Sequence, residues 1–170
     1  EQVAGSILWA KAAEELEVPV LAGGGIVDGK SFYAAMALGV DGVLVSTRFL
    51  ATPEVNASEA YRQALLQVPE NGTVLTMKSL KNAMRVANNA FAQKILAAEA
   101  EGATLKDLMP LISGRRSYEA MIEGRLDEGQ MSMGQGVGRI HDIKPAGQII
   151  EEFISEFRTC HQAMAQLINE

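Results

Sequence analysis

A single cysteine, Cys160, in 170 residues leaves no internal disulfide to be made, and neither it nor the two histidines stands in a cluster with metal-ligand spacing. The chain is expected to fold by burial alone and without a metal, in a reducing cytoplasm. Aromatic residues make up only 5% of it, which disfavours a β-sandwich and suits helices packed on a buried sheet. Basic excess is missing as well. Fifteen Lys and Arg against 21 Asp and Glu give a net charge of -6, so nucleic acid and anionic membrane are not the expected partners. No apolar run is long enough for a membrane span, because Val18 to Phe49 is broken by Asp28, Lys30, Asp41 and Arg48. The chain opens on Glu1 and Gln2 without the basic segment of a signal peptide. It also lacks Met at position 1 and starts abruptly in helical sequence, so the expectation is a piece of a longer protein.

What is present begins with a helix through Ile7, Leu8, Ala12 and Leu16, for which Ser6 reads as the cap. Val18 to Ala22 follows as a continuous apolar run, read as a parallel strand buried on both faces. Gly23, Gly24 and Gly25 break it. Lys30 to Leu38 is a helix stopped at Gly39, and Gly42 to Ser46 is a second strand. The parallel pair requires a right-handed crossover. Two such strands do not make a complete sheet, and the rest of the chain supplies no partners for them. Beyond Thr52 the sequence predicts helices over 59–68, 82–100, 105–112 and 118–123, with Thr73 to Thr76 the one later strand. Pro145 opens a final helix whose apolar residues, from Ile149 to Ile168, recur at three- and four-residue spacing. That helix must dock on the sheet layer, on the helical segment or on a second subunit, so a homodimer is compatible with it.

The glycine triplet sits between a buried strand and a helix, where positive φ and the absence of Cβ let backbone N–H groups approach an anion. A tight turn with no ligand is the alternative for the triplet. Ser46 and Thr47 end the neighbouring parallel strand on the same rim, where the last loops of a (β/α)₈ barrel commonly build a phosphate site. Capping of the following turn is the alternative for them. Arg48 is expected to pair with a carboxylate, Trp9 to pack on its neighbour, and the eight Met to fill the core. Arg115, Arg116, Asp127, Glu128, Glu151 and Glu152 read as solvated faces or loops. Neither His141 nor His161 lies on the strand-end rim, so neither is taken as a catalytic base.

Val18 to Gly29 followed by Ala37 to Thr52 resembles the closing part of the FMN-binding barrel of nitronate monooxygenases, formerly 2-nitropropane dioxygenases, and of flavin-dependent enoyl-acyl-carrier-protein reductases. The resemblance continues in Arg85, in Asn88 to Phe91, in Gly124 to Gly138 and in Pro145 to Ile154. It implies that Gly24 and Gly25 bind the FMN phosphate through backbone N–H groups, with Ser46 and Thr47 closing the other side. It places Leu44 and Val45 along the ribityl chain, and Gly134 and Gln135 on a loop facing the flavin and substrate. Leu44-Val45-Ser46-Thr47 departs from the Gln-Met-Gly-Thr that the family commonly has there, putting a Cβ where backbone approach is close.

The resemblance implies an α/β protein, the C-terminal part of a (β/α)₈ TIM barrel with its last two parallel strands and a mostly helical C-terminal subdomain. Residues 1–52 are the end of the barrel, 53–140 a helical insert over the flavin mouth, and 141–170 a helix returning to the barrel. The implied activity is FMN-dependent oxidation of a small nitronate or nitroalkane with O2, with catalytic residues upstream of residue 1. The first alternative is an enoyl reductase drawing on NAD(P)H; an IMP-dehydrogenase-like barrel is opposed by residues 124–154. The other is a non-catalytic fragment or split subunit that folds with the missing barrel half as a partner chain.

Overall fold

Residues 3–168 are described by the computed structural model. Along them run α1 (Gly5–Glu15), β1 (Leu21–Gly23), α2 (Gly29–Ala37), β2 (Gly42–Leu44), α3 (Thr47–Leu50), α4 (Glu59–Leu65), β3 (Thr73–Thr76), β4 (Met84–Ala87), α5 (Ala90–Ala100), α6 (Leu105–Ile112), α7 (Gly114–Met121) and α8 (Ala146–Ile168), with a short 3-10 helix at Gln135–Arg139 before α8. They fall into two units, one of Glu1–Glu54 with Ile143–Glu170 and one of Val55–Asp142. Among the described residues no helix is long and apolar enough to cross a membrane.

In the first unit β1 and β2 pair in parallel, with Leu21, Ala22 and Gly23 opposite Gly42, Val43 and Leu44. Ala22, Ile26, Ala35 and Val40 form the core, and Trp9, Ala13, Phe32 and Phe153 pack against it. Both strands are shorter than expected and are not buried on both faces. Ala22 is fully buried, whereas Val18, Leu21 and Leu44 are 63%, 62% and 58% exposed. The two-residue alternation of a strand turns Leu21 away from the helices that cover Ala22.

The opening helix is also set differently from its expected stripe. It starts after Ala4 with no side-chain cap, Ser6 lies inside it, and Trp9 and Ala13 face the core while Ile7 and Leu8 stay exposed. Spacing alone allowed either stripe, and the bulk of Trp9 wins the inward face.

The return segment is fastened to the first unit by Lys144 N–H on Ala51 O at 3.3 Å and Ala146 N–H on Glu54 Oε1 at 2.9 Å. Glu152, read as solvated, takes Lys144 Nζ at 2.9 Å. The long helix then docks on α2. Phe157 lies 4.7 Å from Phe32 and 5.1 Å from Tyr33, ring centre to ring centre, and Ile149 is buried. Ile150, Ile154, Met164, Leu167 and Ile168 remain exposed.

In the second unit β3 and β4 form an antiparallel pair, Val74 opposite Val86 and Leu75 opposite Arg85, and Ser132 bridges to Val86. Phe91, Ile95 and Leu108 make a core between α5 and α6; burying each such side chain is worth roughly 1.5–3 kcal/mol. The expected helix over 82–100 is therefore two elements. Asn89 separates them, because its side chain accepts Ala92 N–H at 2.8 Å to cap α5 and donates to Gly129 O at 3.0 Å. Arg115 and Arg116 are not merely solvated either. Their guanidiniums meet the buried Glu119 at 3.0 and 2.8 Å, and Arg125 meets it at 3.2 Å. The hydrogen bond from Arg115, followed by those from Arg116 and the charges of Arg116 and Arg125, holds the Glu119 carboxyl below its ordinary value against the opposing effect of burial. Arg125 also binds Glu128 at 2.9 Å. Met77, Met131 and Met133 are buried, in keeping with a gap-filling role.

Candidate functional site

The strand register sets Gly23 beside Leu44, so the segments that follow leave the sheet at the same end. Strands in such a pair lie about 4.8 Å apart, which makes the two exits neighbours. Gly24 and Gly25 take φ of +96° and +75°, a region that L side chains rarely enter. A Cβ built on either residue would meet nothing within 4 Å. The two glycines therefore present bare backbone to open space, as a cradle for an anion requires. Immediately afterwards Ile26 and Val27 turn into the core, 3% and 5% exposed.

The start of α2 takes no part in that cradle. Asp28 caps it, accepting Ser31 N–H at 2.7 Å while Ser31 Oγ takes Asp28 N–H at 3.2 Å. Gly29 N–H donates to Glu156 Oε2 at 2.8 Å. Two carboxylates, those of Asp28 and Glu156, already hold the positive end of this helix.

On the neighbouring exit Leu44 is exposed and Val45 packs partly against the first-unit core. Ser46 is exposed and precedes α3 without a side-chain hydrogen bond to it; capping does not occupy its hydroxyl. Its φ of -121° carries no left-handed strain. Thr47 and Arg48 are buried, 8% and 6% exposed. The sequence-derived set of Gly24, Gly25, Leu44, Val45, Ser46 and Thr47 thus converges on one strand-end rim, with Thr47 the most enclosed member.

Gly134 and Gln135 belong to the second unit. Gly134 is extended and leads into the 3-10 helix that Gln135 begins, and Met133 N–H on Arg85 O at 3.2 Å ties this loop to β4. Gln135 itself is exposed. His161 lies on α8 with its ring 6.1 Å from Tyr33, and His141 is exposed in the segment before Ile143. Among the described residues no group of three His, Cys, Asp or Glu is placed to hold a metal.

Sequence reasoning missed Glu156, since nothing in a helix-face pattern marks a contact spanning 127 residues. It also missed the cap on α2, although Asp28-x-x-Ser31 carries the spacing of a reciprocal cap. The second unit has a surface groove of about 360 Å³ that includes Pro69, Gly72, Asn88, Asn89 and Met131.

The profile of the nitronate monooxygenase family matches residues 3–156. A probable nitronate monooxygenase of Staphylococcus aureus strain MSSA476 is 31% identical over 155 residues, which are 91% of this chain and 43% of that protein. Among solved structures, FabK from Thermotoga maritima superposes with a TM-score of 0.88 at 31% identity, covering 98% of this chain and 53% of FabK. Nitroalkane oxidase from Streptomyces ansochromogenes gives a TM-score of 0.79 at 27% identity, covering 95% and 46%. The chain spans about half the length of these relatives or less. It belongs to the nitronate monooxygenase family, and its parallel pair with flanking helices is the C-terminal part of a TIM barrel.

Proposed function

We propose that the chain forms the phosphate-holding end of an FMN-dependent oxidoreductase that oxidises small nitronates or nitroalkanes with O2. The observation that supports this most is the pair of open, positive-φ glycines at the strand-end rim beside an uncapped Ser46, inside the segment matched by the family profile. A phosphate ester suits this cradle because its oxygens accept from main-chain N–H groups that no side chain screens. Gly24 and Gly25 bind the phosphate from one exit, and Ser46 adds a hydroxyl from the other, with Thr47 behind it. Leu44 and Val45 give apolar contact along the ribityl chain. Gly134 and Gln135 are assigned to the substrate side. A bound FMN would supply the redox chemistry between substrate and O2; this chain's part is to fix the cofactor's anionic end and orient the rest.

The remaining barrel strands and the catalytic base come from further polypeptide, upstream or on a partner chain. The reading is supported by Leu21 and Leu44, each more than half exposed on the two-stranded sheet. A second reading, an enoyl thioester reductase drawing electrons from NAD(P)H, is favoured by the TM-score of 0.88 to FabK. Oxygen uptake with an alkyl nitronate by the FMN-loaded chain, joined to the polypeptide that completes the barrel, supports the first reading. NAD(P)H oxidation dependent on a crotonyl thioester, with no nitronate-dependent uptake, supports the second and overturns the first.

A further inference from the structure

Glu156 lies on the last helix, yet its carboxylate closes the first turn of α2 by accepting Gly29 N–H at 2.8 Å. The contact is tight on the main chain as well. A Cβ on Gly29 would stand 2.4 Å from Phe153 O and 2.8 Å from Phe157 N, so the backbone of α8 rests directly on the start of α2. The limb between the cradle and this point is bonded throughout. Val27 N–H and Asp28 N–H both reach Ser31 Oγ, at 3.1 and 3.2 Å, and Ile26 and Val27 are buried. On the other side Gly23 is held in the strand pair. Gly24 and Gly25 are thus two open residues between two fixed points, and glycine has no side chain with which to hold its own conformation.

We propose that Glu156 is a positioning residue for the glycine loop: it anchors the start of α2 and thereby keeps Gly24 and Gly25 in the backbone conformation that receives the cofactor phosphate. This rests on the phosphate reading of that loop. Three residues separate Gly25 from Gly29, a span of at most about 14 Å, with packed side chains between, so release at Gly29 is felt at the cradle. A carboxylate suits the task because the first turn of a helix favours negative charge and because a charged acceptor makes the stronger bond.

The test uses the full chain with Glu156→Ala and Glu156→Gln, followed by amide hydrogen exchange and by titration with FMN and with riboflavin. Glu156→Ala is expected to speed exchange at Gly24 to Gly29 about tenfold while leaving α5 unchanged. It is expected to weaken FMN about tenfold with riboflavin unaffected, since only the phosphate uses the loop. Glu156→Gln, which keeps an acceptor, restores most of both. Should Glu156→Ala unfold the unit, Glu156→Asp, which keeps the charge and shortens the reach, must give the same signature in milder form. Unchanged loop exchange, or a parallel fall in FMN and riboflavin affinity, overturns the role of Glu156 alone. Absence of any FMN preference in the unaltered chain overturns the phosphate reading and the positioning role with it.

Discussion

Replacing Gly29 with Ala sets two effects of opposite sign against each other. Gly29 is the first residue of α2, and helix propensity by itself favours Ala over Gly by at most about 1 kcal/mol. Against this stands the crowding by α8. The new Cβ would lie 2.4 Å from both Glu156 Cβ and Phe153 O, where non-bonded contacts settle at about 3.5 Å or more. A main-chain oxygen cannot rotate away, so α8 must withdraw from α2 by about 1 Å. Withdrawal stretches the Gly29 to Glu156 hydrogen bond from 2.8 Å and parts Phe157 from Phe32 and Tyr33. Overpacking of this kind costs about 1–3 kcal/mol, and losing a bond to a charged acceptor about 1.5–3 kcal/mol. After the propensity gain the expected result is a net loss of about 2–4 kcal/mol. Urea unfolding followed by far-ultraviolet circular dichroism measures it, with Lys30→Ala on the exposed side of the same helix as the control. A stabilised protein, or a loss below about 0.5 kcal/mol, would refute the close approach of the two helices.

Gly24→Ala meets no steric obstacle but forces an L residue to φ +96°, costing about 1–2 kcal/mol without ligand. Its Cβ also enters the cradle, so FMN should stabilise the variant far less than the unaltered chain in thermal unfolding; equal stabilisation would place the phosphate elsewhere. Glu119 is held below the ordinary carboxylate value chiefly by Arg115. The stability this adds is complete above the unfolded-chain value of about 4.3 and is lost as pH falls through the lowered folded value. Glu119→Gln should therefore flatten the acid limb of the urea midpoint against pH, and an unchanged limb would refute the pairing. Burial pushes the Tyr61 phenol up to about 12. Its contribution is complete below the unfolded value of about 10 and is lost as pH rises through the folded value, so Tyr61→Phe should remove an alkaline loss of roughly 2–3 kcal/mol. The same loss in both proteins would count against it.

The glycine turn and the strand-end rim were legible because their signals are local. Three glycines after an apolar run, and Ser46-Thr47 after the next, state a turn and a rim with no help from distant residues. Parallel pairing was legible for the same reason, since a helix and short connections leave only one crossover. Burial was less so. An apolar run such as Val18 to Ala22 reads as enclosed on both faces, but enclosure depends on what lies opposite, and Leu21 is 62% exposed. The β4 strand was hidden because Met84 to Ala87 adjoins good helix formers, and only the partner strand and the cap at Asn89 decide the boundary. Glu119 and Glu156 look like surface acids in one dimension. Three arginines bury the first, and a glycine N–H 127 positions away uses the second.

Calorimetric titration of the chain with FMN and with riboflavin, which differ only by the phosphate, tests the cradle most directly. Two or more charge-assisted bonds from backbone N–H groups and a hydroxyl are together worth about 3 kcal/mol or more, so FMN should bind at least about a hundredfold more tightly than riboflavin. Gly24→Ala should erase that preference. Equal affinity for the two flavins, or a preference that survives Gly24→Ala, would contradict the assignment of the glycine loop.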